Sequence, residues 1–257
     1  MLNLQLRLLA LAIAAWTRLP AGSARRRGAS ASPEDRVHGL RYLPLAGLAV
    51  ALPAAVAYAI AGLWLPHAVA LLGALAVLLL LTGAVHERGF AAWCEDLAER
   101  GRTEGRLGAA GAAGLMLLVL AKFETLSSID PSWIAVSMVC AAAFSRGCAV
   151  FAVGTAFTEP SAQAPRPTGT DTSVALACAL APVAAAAVWT GNLEVFGTAA
   201  GMALVATALV RRTLGRRGLE RDERALGAVQ QLAELGFHVG ILATLSIVDE
   251  TLADPPS

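Results

Sequence analysis

"AVALLGALAVLLLLTGAVHERGFAAWCEDLAERGR", residues 68–102, sets a run fit for hydrocarbon directly against the densest charge in the chain. Residues 68–81 carry no polar side chain. From His86 to Arg102 there follow four carboxylates, three arginines and the histidine. An apolar run that ends this abruptly in charge reads as a membrane helix emerging at an interface.

The same alternation continues outward in both directions. Of the 257 residues 56% are hydrophobic and 15% charged, against about 25% charged in a soluble domain. The charges are bunched, leaving apolar stretches at 43–65, 67–85, 107–123, 133–157, 173–190, 194–210 and 232–248. This pattern predicts an all-α, polytopic membrane helix bundle of about seven transmembrane helices, one integral domain over residues 1–257, with the lipid bilayer as its surroundings. The spans are rich in Ala and Gly, as in "GAAGAAG" at 108–114, a composition that favours close helix approach. Pro53 and Pro182 fall inside spans and are expected to kink them. Tryptophans 16, 64, 93, 133 and 189 lie at or near span ends, where interface anchors belong. Cys94, Cys140, Cys148 and Cys178 have no CxxC spacing and read as buried thiols. A net charge of +1 gives no field for nucleic acid, and no nucleic-acid partner is expected.

Orientation follows from the arginines. They gather in 21–42, in the charged loop 86–106 and in the basic loop 211–224, while the alternate connections carry none. With seven spans these segments share one side, expected to be the cytoplasmic face of a bacterial inner membrane. The N-terminal stretch 1–20 has an apolar run too short for a span, followed by arginines that oppose translocation. It is expected to be an amphipathic or partly inserted helix rather than a cleaved signal.

Three charged features carry chemistry. Glu95 and Glu99 are spaced i,i+4 on any helix through their segment, with Asp96 beside them. Such a carboxylate set suits Mg²⁺, and the same residues also read as a solvated, salt-bridged turn. His86 stands where the span ends, either a general base or an interface residue. Arg146, in "FSRG" at 144–147, sits inside an apolar span, where a charge calls for a partner or an anionic ligand. Glu234 is a weaker instance of the same argument. The run "RRTLGRRGLERDERALG" at 211–227 is basic enough to reach lipid headgroups or a polyanion.

The order of several stretches resembles the cobalamin synthase family, the adenosylcobinamide-GDP ribazoletransferases. They are "TRLP" at 17–20, "RYLPLAGL" at 41–48, "TGAVHERG" at 82–89, "GRLGAAG" at 105–111, "FSRG" at 144–147 and "RRTLG…ALGAVQQLAELGF" at 211–237. The resemblance implies a Mg²⁺-dependent membrane enzyme joining adenosylcobinamide-GDP to α-ribazole or its 5′-phosphate and releasing GMP. It implies catalytic roles for His86, Glu95 and Asp96, metal ligation by Glu95, Asp96 and Glu99, and substrate binding by Arg41, Arg106, Arg146 and Glu234. Other corrinoid-assembly enzymes are the implied partners.

The chain departs from the family pattern in its acids. Where the family loop reads H-x-D-G-x-x-D-x-x-D-G, this chain has Arg88 and Ala92 at the first two Asp positions, Glu95 at the third and Asp96 at the final Gly. Arg224 and Gln231 replace a later Asp and Glu. Two alternatives arise: a catalytically impaired relative acting as a membrane scaffold or corrinoid-binding protein, and, ranked last, a small-molecule transporter.

Overall fold

The computed structural model describes residues 2–20, 31–98, 107–156, 166–216 and 223–253, and every regular element among them is helical. In chain order these are α1 (Leu2–Trp16), α2 (Pro33–Gly39), a 3₁₀ turn (Leu40–Tyr42), α3 (Leu43–Ala61), α4 (His67–Thr82), α5 (Val85–Ala98), α6 (Ala109–Ser127), α7 (Pro131–Gly154), α8 (Gly169–Thr190), α9 (Leu193–Gly215) and α10 (Glu223–Ala253).

Five helical segments among the described residues are long and apolar enough to cross a bilayer: Pro33–Ala61, Ala109–Ser127, Pro131–Gly154, Gly169–Thr190 and Leu193–Gly215. The expected span at 67–85 takes another form. Helix α4 stops at Thr82, and the chain turns 89° into α5, so the pair together makes a sixth crossing or a re-entrant segment. Gly83 and Ala84 make this corner at φ of +64° and +56°, left-handed values at which a side chain is strained and glycine is not. The first half of the 86–106 segment is therefore helix. The seventh expected stretch, 232–248, lies within α10, which packs against α9, α7, α5 and α6. That central position explains why polar residues punctuate α10: its neighbours are helices as well as lipid.

Helix α7 is the hub. Its apolar stretch is 78% buried, against 28% in α6, and Ala141, Ala142, Ala143 and Ala149 are fully enclosed. Small side chains let backbones approach where lipid supplies no hydrophobic drive for association. Phe144 meets Phe237 of α10 at 5.6 Å between ring centroids. The Ser137 hydroxyl and His238 Nδ1, also between α7 and α10, are 2.7 Å apart. Helices α3 and α8 run unbroken through Pro53 and Pro182. Trp64 and Trp189 are exposed near the ends of α3 and α8, as anchors are. Trp16, Trp93 and Trp133 instead pack on the core, because each is held by a neighbouring helix. The cysteines are free; Cys140 and Cys148 are buried, Cys94 and Cys178 half-buried.

Described flanks of two arginine-rich segments, 86–106 and 211–224, meet. Trp93 Nε1 of α5 donates to Thr213 Oγ1 of α9 at 3.2 Å, and Arg224 of α10 reaches Asp96 of α5. Helix α1 docks on α2 and α3; just beyond it, the Arg18 amide donates to the Leu81 carbonyl at 2.6 Å, occupying one of the free acceptors at the end of α4.

Helix α5 crosses α10 at glycines. A Cβ on Gly227 would lie 2.5 Å from the His86 carbonyl oxygen and 2.7 Å from Gly89 Cα. Gly227→Val is therefore expected to lower stability by about 1–3 kcal/mol and to push His86 out of place. Thermal unfolding of the purified protein in detergent checks this, with Gly197→Ala, a site with nothing within 4 Å, expected to leave the transition unmoved.

Candidate active site

The corner at Gly83–Ala84 delivers His86 and Glu87 to the interior side of α5. There they line a cavity of about 210 Å³ together with residues of α4, α6, α7 and α10. Its two walls differ. Helices α4 and α6 contribute leucines, Ala76 and Val119, whereas α5, α7 and α10 contribute most of the polar groups, joined by Thr82 of α4 and Lys122 of α6.

Arg146 is 2% exposed, and its Nη1 donates to the Ala142 carbonyl at 2.8 Å. The carboxylates whose charge reaches it are Glu234 and Glu87. Lys122 Nζ donates to Gln231 Oε1 at 2.5 Å and lies 3.4 Å from Glu234 Oε2. Gln230 Nε2 donates to the same Glu234 oxygen and, at 3.4 Å, to Ser145 Oγ. Two cations and two carboxylates thus share one cavity and offset one another, which makes their joint burial tolerable in a membrane interior. His86 is 1% exposed and stacks on Trp16, centroids 5.3 Å apart and rings within 10° of parallel. Both of its ring nitrogens lack a hydrogen-bond partner, as do Glu87 Oε2 and Gln230 Oε1.

Of the residues singled out in the sequence, the fold brings His86, Arg146 and Glu234 together in this cavity. Glu95 and Asp96 lie outside its lining and have other partners. Glu95 Oε1 accepts the Gly111 amide at 2.5 Å, in the first turn of α6, where a carboxylate satisfies a free N–H and complements the helix dipole. Asp96 receives Arg224 Nη1 on both oxygens, at 2.8 and 2.7 Å. Arg41 also lies outside the cavity: its Nε donates to Asp171 Oδ1 at 2.6 Å, and His38 Nδ1 is 2.8 Å from Oδ2. That cluster ties the 3₁₀ turn to the start of α8. Glu99 and Arg106 lie outside the described residues.

These placements test the fit of Mg²⁺. Among the described residues no group of three His, Cys, Asp or Glu is disposed to hold a metal ion. Glu95 is spent on a helix start, and Asp96 faces a guanidinium, the wrong sign of neighbour for a dication. The described residues do not fit the ion.

Sequence reasoning missed Lys122, Glu87 and Gln230, and marked Gln231 only as the replacement of a family Glu. Lys122 had a signal: it is the only lysine in a chain with 20 basic residues, and it sits inside an apolar stretch. Glu87 reads in the sequence as one more charge of a solvated turn, since the corner that points it inward leaves no mark in composition.

Residues 8–242, which contain all of these cavity groups, match the sequence pattern of cobalamin-5-phosphate synthases. An adenosylcobinamide-GDP ribazoletransferase from Azorhizobium caulinodans is 33% identical over 247 residues, covering 87% of this chain and 90% of that one. Relatives of the same name match over shorter stretches: that of Geotalea daltonii is 38% identical over 37% of this chain and 42% of its own length. That of Shewanella sp. strain ANA-3 is 34% identical over 46% and 48%. No solved structure matches the chain. With the pattern matched over most of its length and one relative aligned almost end to end, the chain belongs to the cobalamin-5-phosphate synthase family.

Proposed function

We propose that this chain catalyses the last joining step of adenosylcobalamin synthesis, transferring the corrinoid-bearing phosphoryl group of adenosylcobinamide-GDP to α-ribazole or its 5′-phosphate with release of GMP. The observation that carries the reading is the near end-to-end alignment with an adenosylcobinamide-GDP ribazoletransferase, inside which the buried polar cavity lies. The protein works as a multi-pass protein of the bacterial cytoplasmic membrane, its arginine-rich segments facing the cytoplasm. The other corrinoid-assembly enzymes, which make its substrates, are its partners there.

In this reaction an acceptor hydroxyl oxygen attacks the corrinoid-bound phosphorus of the pyrophosphate. The P–O bond to GMP breaks, and the hydroxyl proton must find a base. His86 is the group placed to take it: it lines the cavity and has no protein partner on either nitrogen. The Trp16 stack holds the ring. Arg146 and Lys122 supply positive potential beside the reacting hydroxyl. Mg²⁺, where bound, would neutralise pyrophosphate charge; no step here runs through it, because the described carboxylates do not form its site.

The direct test is purified protein in nanodiscs, supplied with adenosylcobinamide-GDP and α-ribazole, with GMP measured by chromatography. GMP appearing in step with the corrinoid product supports transfer. A second reading has its own observation, the engagement of Glu95 and Asp96 by Gly111 and Arg224. It makes the chain a corrinoid-binding relative without turnover. Substrate binding with no GMP would establish that reading instead.

A further inference from the structure

We infer that helix α1 belongs to the catalytic unit: Trp16, at its end, is a positioning residue that sets the plane of the His86 ring. The inference rests on the transferase reading above, in which His86 takes the acceptor proton, and deepens it.

A histidine accepts a proton along a lone pair that lies in the plane of its ring. That plane therefore decides which hydroxyl the base can reach. In many sites a hydrogen bond to the nitrogen that does not react holds the ring. His86 has no such bond: it is 1% exposed, and among the described residues both of its ring nitrogens lack a partner. Burial confines the ring but leaves its plane to whatever packs on its faces. Trp16 covers one of them, centroids 5.3 Å apart and rings within 10° of parallel, inside the range of favourable offset stacking. Trp16 does not line the cavity. It acts on the base without bordering the space where substrate sits.

The rest of α1 keeps Trp16 in place. Leu8 and Leu11 are buried, with Tyr42 packed against them. The Tyr42 hydroxyl donates to Gln5 Oε1 at 2.7 Å, and Arg7 Nη2 meets Asp35 Oδ2 at 2.5 Å. These contacts fix the body of α1 on α2 and the 3₁₀ turn. The stretch "TRLP" at 17–20 then secures its end. Thr17 Oγ1 donates to the Ile13 carbonyl at 2.7 Å and accepts the Leu19 amide at 3.2 Å. The Arg18 amide donates to the Leu81 carbonyl, and the Arg18 side chain lies over Gly83, where an added Cβ would come within 3.1 Å of Arg18 Cδ. One short segment thus grips the last turn of α4, the corner that leads into α5 and, through Trp16, the ring that α5 carries. An interfacial anchor needs only an apolar face and a polar one; these ties to the corner go beyond that.

The experiment measures kcat and KM for GMP release in nanodiscs and follows the His86 ring by NMR of protein labelled with [¹³C,¹⁵N]histidine. The chain has four histidines, and the set of signals lost in His86→Asn assigns this ring. Trp16→Met fills the space with an adaptable chain but no flat face. It is expected to lower kcat by about 10- to 100-fold, the cost of a misaligned group, with KM within about twofold of wild type. Trp16→Phe keeps a face and should stay within about threefold of wild-type kcat. In the His86→Asn background Trp16→Met should change the residual rate by less than about twofold, because the residue it acts through is gone. The wild-type His86 ring protons, lying over the indole, should be displaced upfield, and Trp16→Met should remove that displacement.

Wild-type kcat in Trp16→Met overturns the inference, as does a raised KM at unchanged kcat, or a loss of the same size in His86→Asn. Should Trp16→Met fail to fold, the wild-type ring signals decide: displaced upfield they support the stack, undisplaced they overturn it. A wild-type protein that releases no GMP sinks the transferase reading and this inference with it. An active wild type whose Trp16→Met variant is unimpaired sinks the inference alone.

Discussion

Arg146→Ala is expected to cut GMP release by at least about 100-fold, the scale of losing one positioned electrostatic group in a closed site. It should also lower stability by about 3–5 kcal/mol, the range for removing one member of a buried charge set. Arg146 is 2% exposed, on the most enclosed helix of the bundle, and without it Glu87 and Glu234 face Lys122 alone. The two losses separate by design. Arg146→Met combined with Glu87→Gln removes one charge of each sign, so most of the stability should return while activity stays lost. Arg146→Lys keeps the charge but not the fork that reaches the Ala142 carbonyl, and it should fall between wild type and alanine. Unfolding in detergent and GMP release, measured on the same preparations, read the two quantities. An Arg146→Met/Glu87→Gln variant with restored activity would remove Arg146 from the chemistry.

The bundle was largely legible in the sequence because its cause is local. Runs such as 68–81 have no alternative to a hydrophobic environment, and Arg146 was conspicuous by being charged inside one. The count of crossings was less legible. The stretch at 67–85 does not continue straight: it breaks at Gly83 and Ala84 and sends α5 off at 89°. Hydropathy registers the end of an apolar run, not the direction of the next helix. That turn also decides which charges face inward. His86 and Glu87 enter the cavity, while Arg88, the next residue, stays exposed.

Glu95 and Asp96 show the limit of spacing arguments. Their i,i+1 adjacency and the i,i+4 partner at Glu99 make a reasonable metal set on paper. Their partners lie 16 and 128 positions away, at Gly111 and Arg224. Which of two uses a carboxylate serves depends on what packing places opposite it, and no single sequence displays that. Lys122 is the contrary case, where composition carried the information. A chain that writes nearly every basic residue as arginine and keeps one lysine, inside a span, marks that position for a compact, point-like cation.

Reversing the α5–α10 ion pair gives the second large effect. Arg224→Ala is expected to lower stability by at most about 3–5 kcal/mol, because it removes the guanidinium that meets both oxygens of the Asp96 side chain, itself 4% exposed. Exchanging the two, Asp96→Arg with Arg224→Asp, should recover more than half of that loss, and a double-mutant cycle isolates the pairwise part from other contacts of either residue. Arg224→Asp alone is the informative member. It restores the acid that the family pattern has at this position and sets two carboxylates face to face, a repulsive arrangement that a divalent cation relieves. The wild-type unfolding temperature should therefore be indifferent to Mg²⁺, while the Arg224→Asp protein is destabilised and regains stability as Mg²⁺ is added, by ~2.7 kcal/mol at a hundredfold excess over Kd. If instead the wild type responds to Mg²⁺ and Arg224→Asp adds nothing, the ion binds elsewhere and Arg224 has not taken a metal's place. A response confined to Arg224→Asp would mean that one substitution, acid to arginine, exchanged a metal-bridged helix contact for an ion pair that needs no metal.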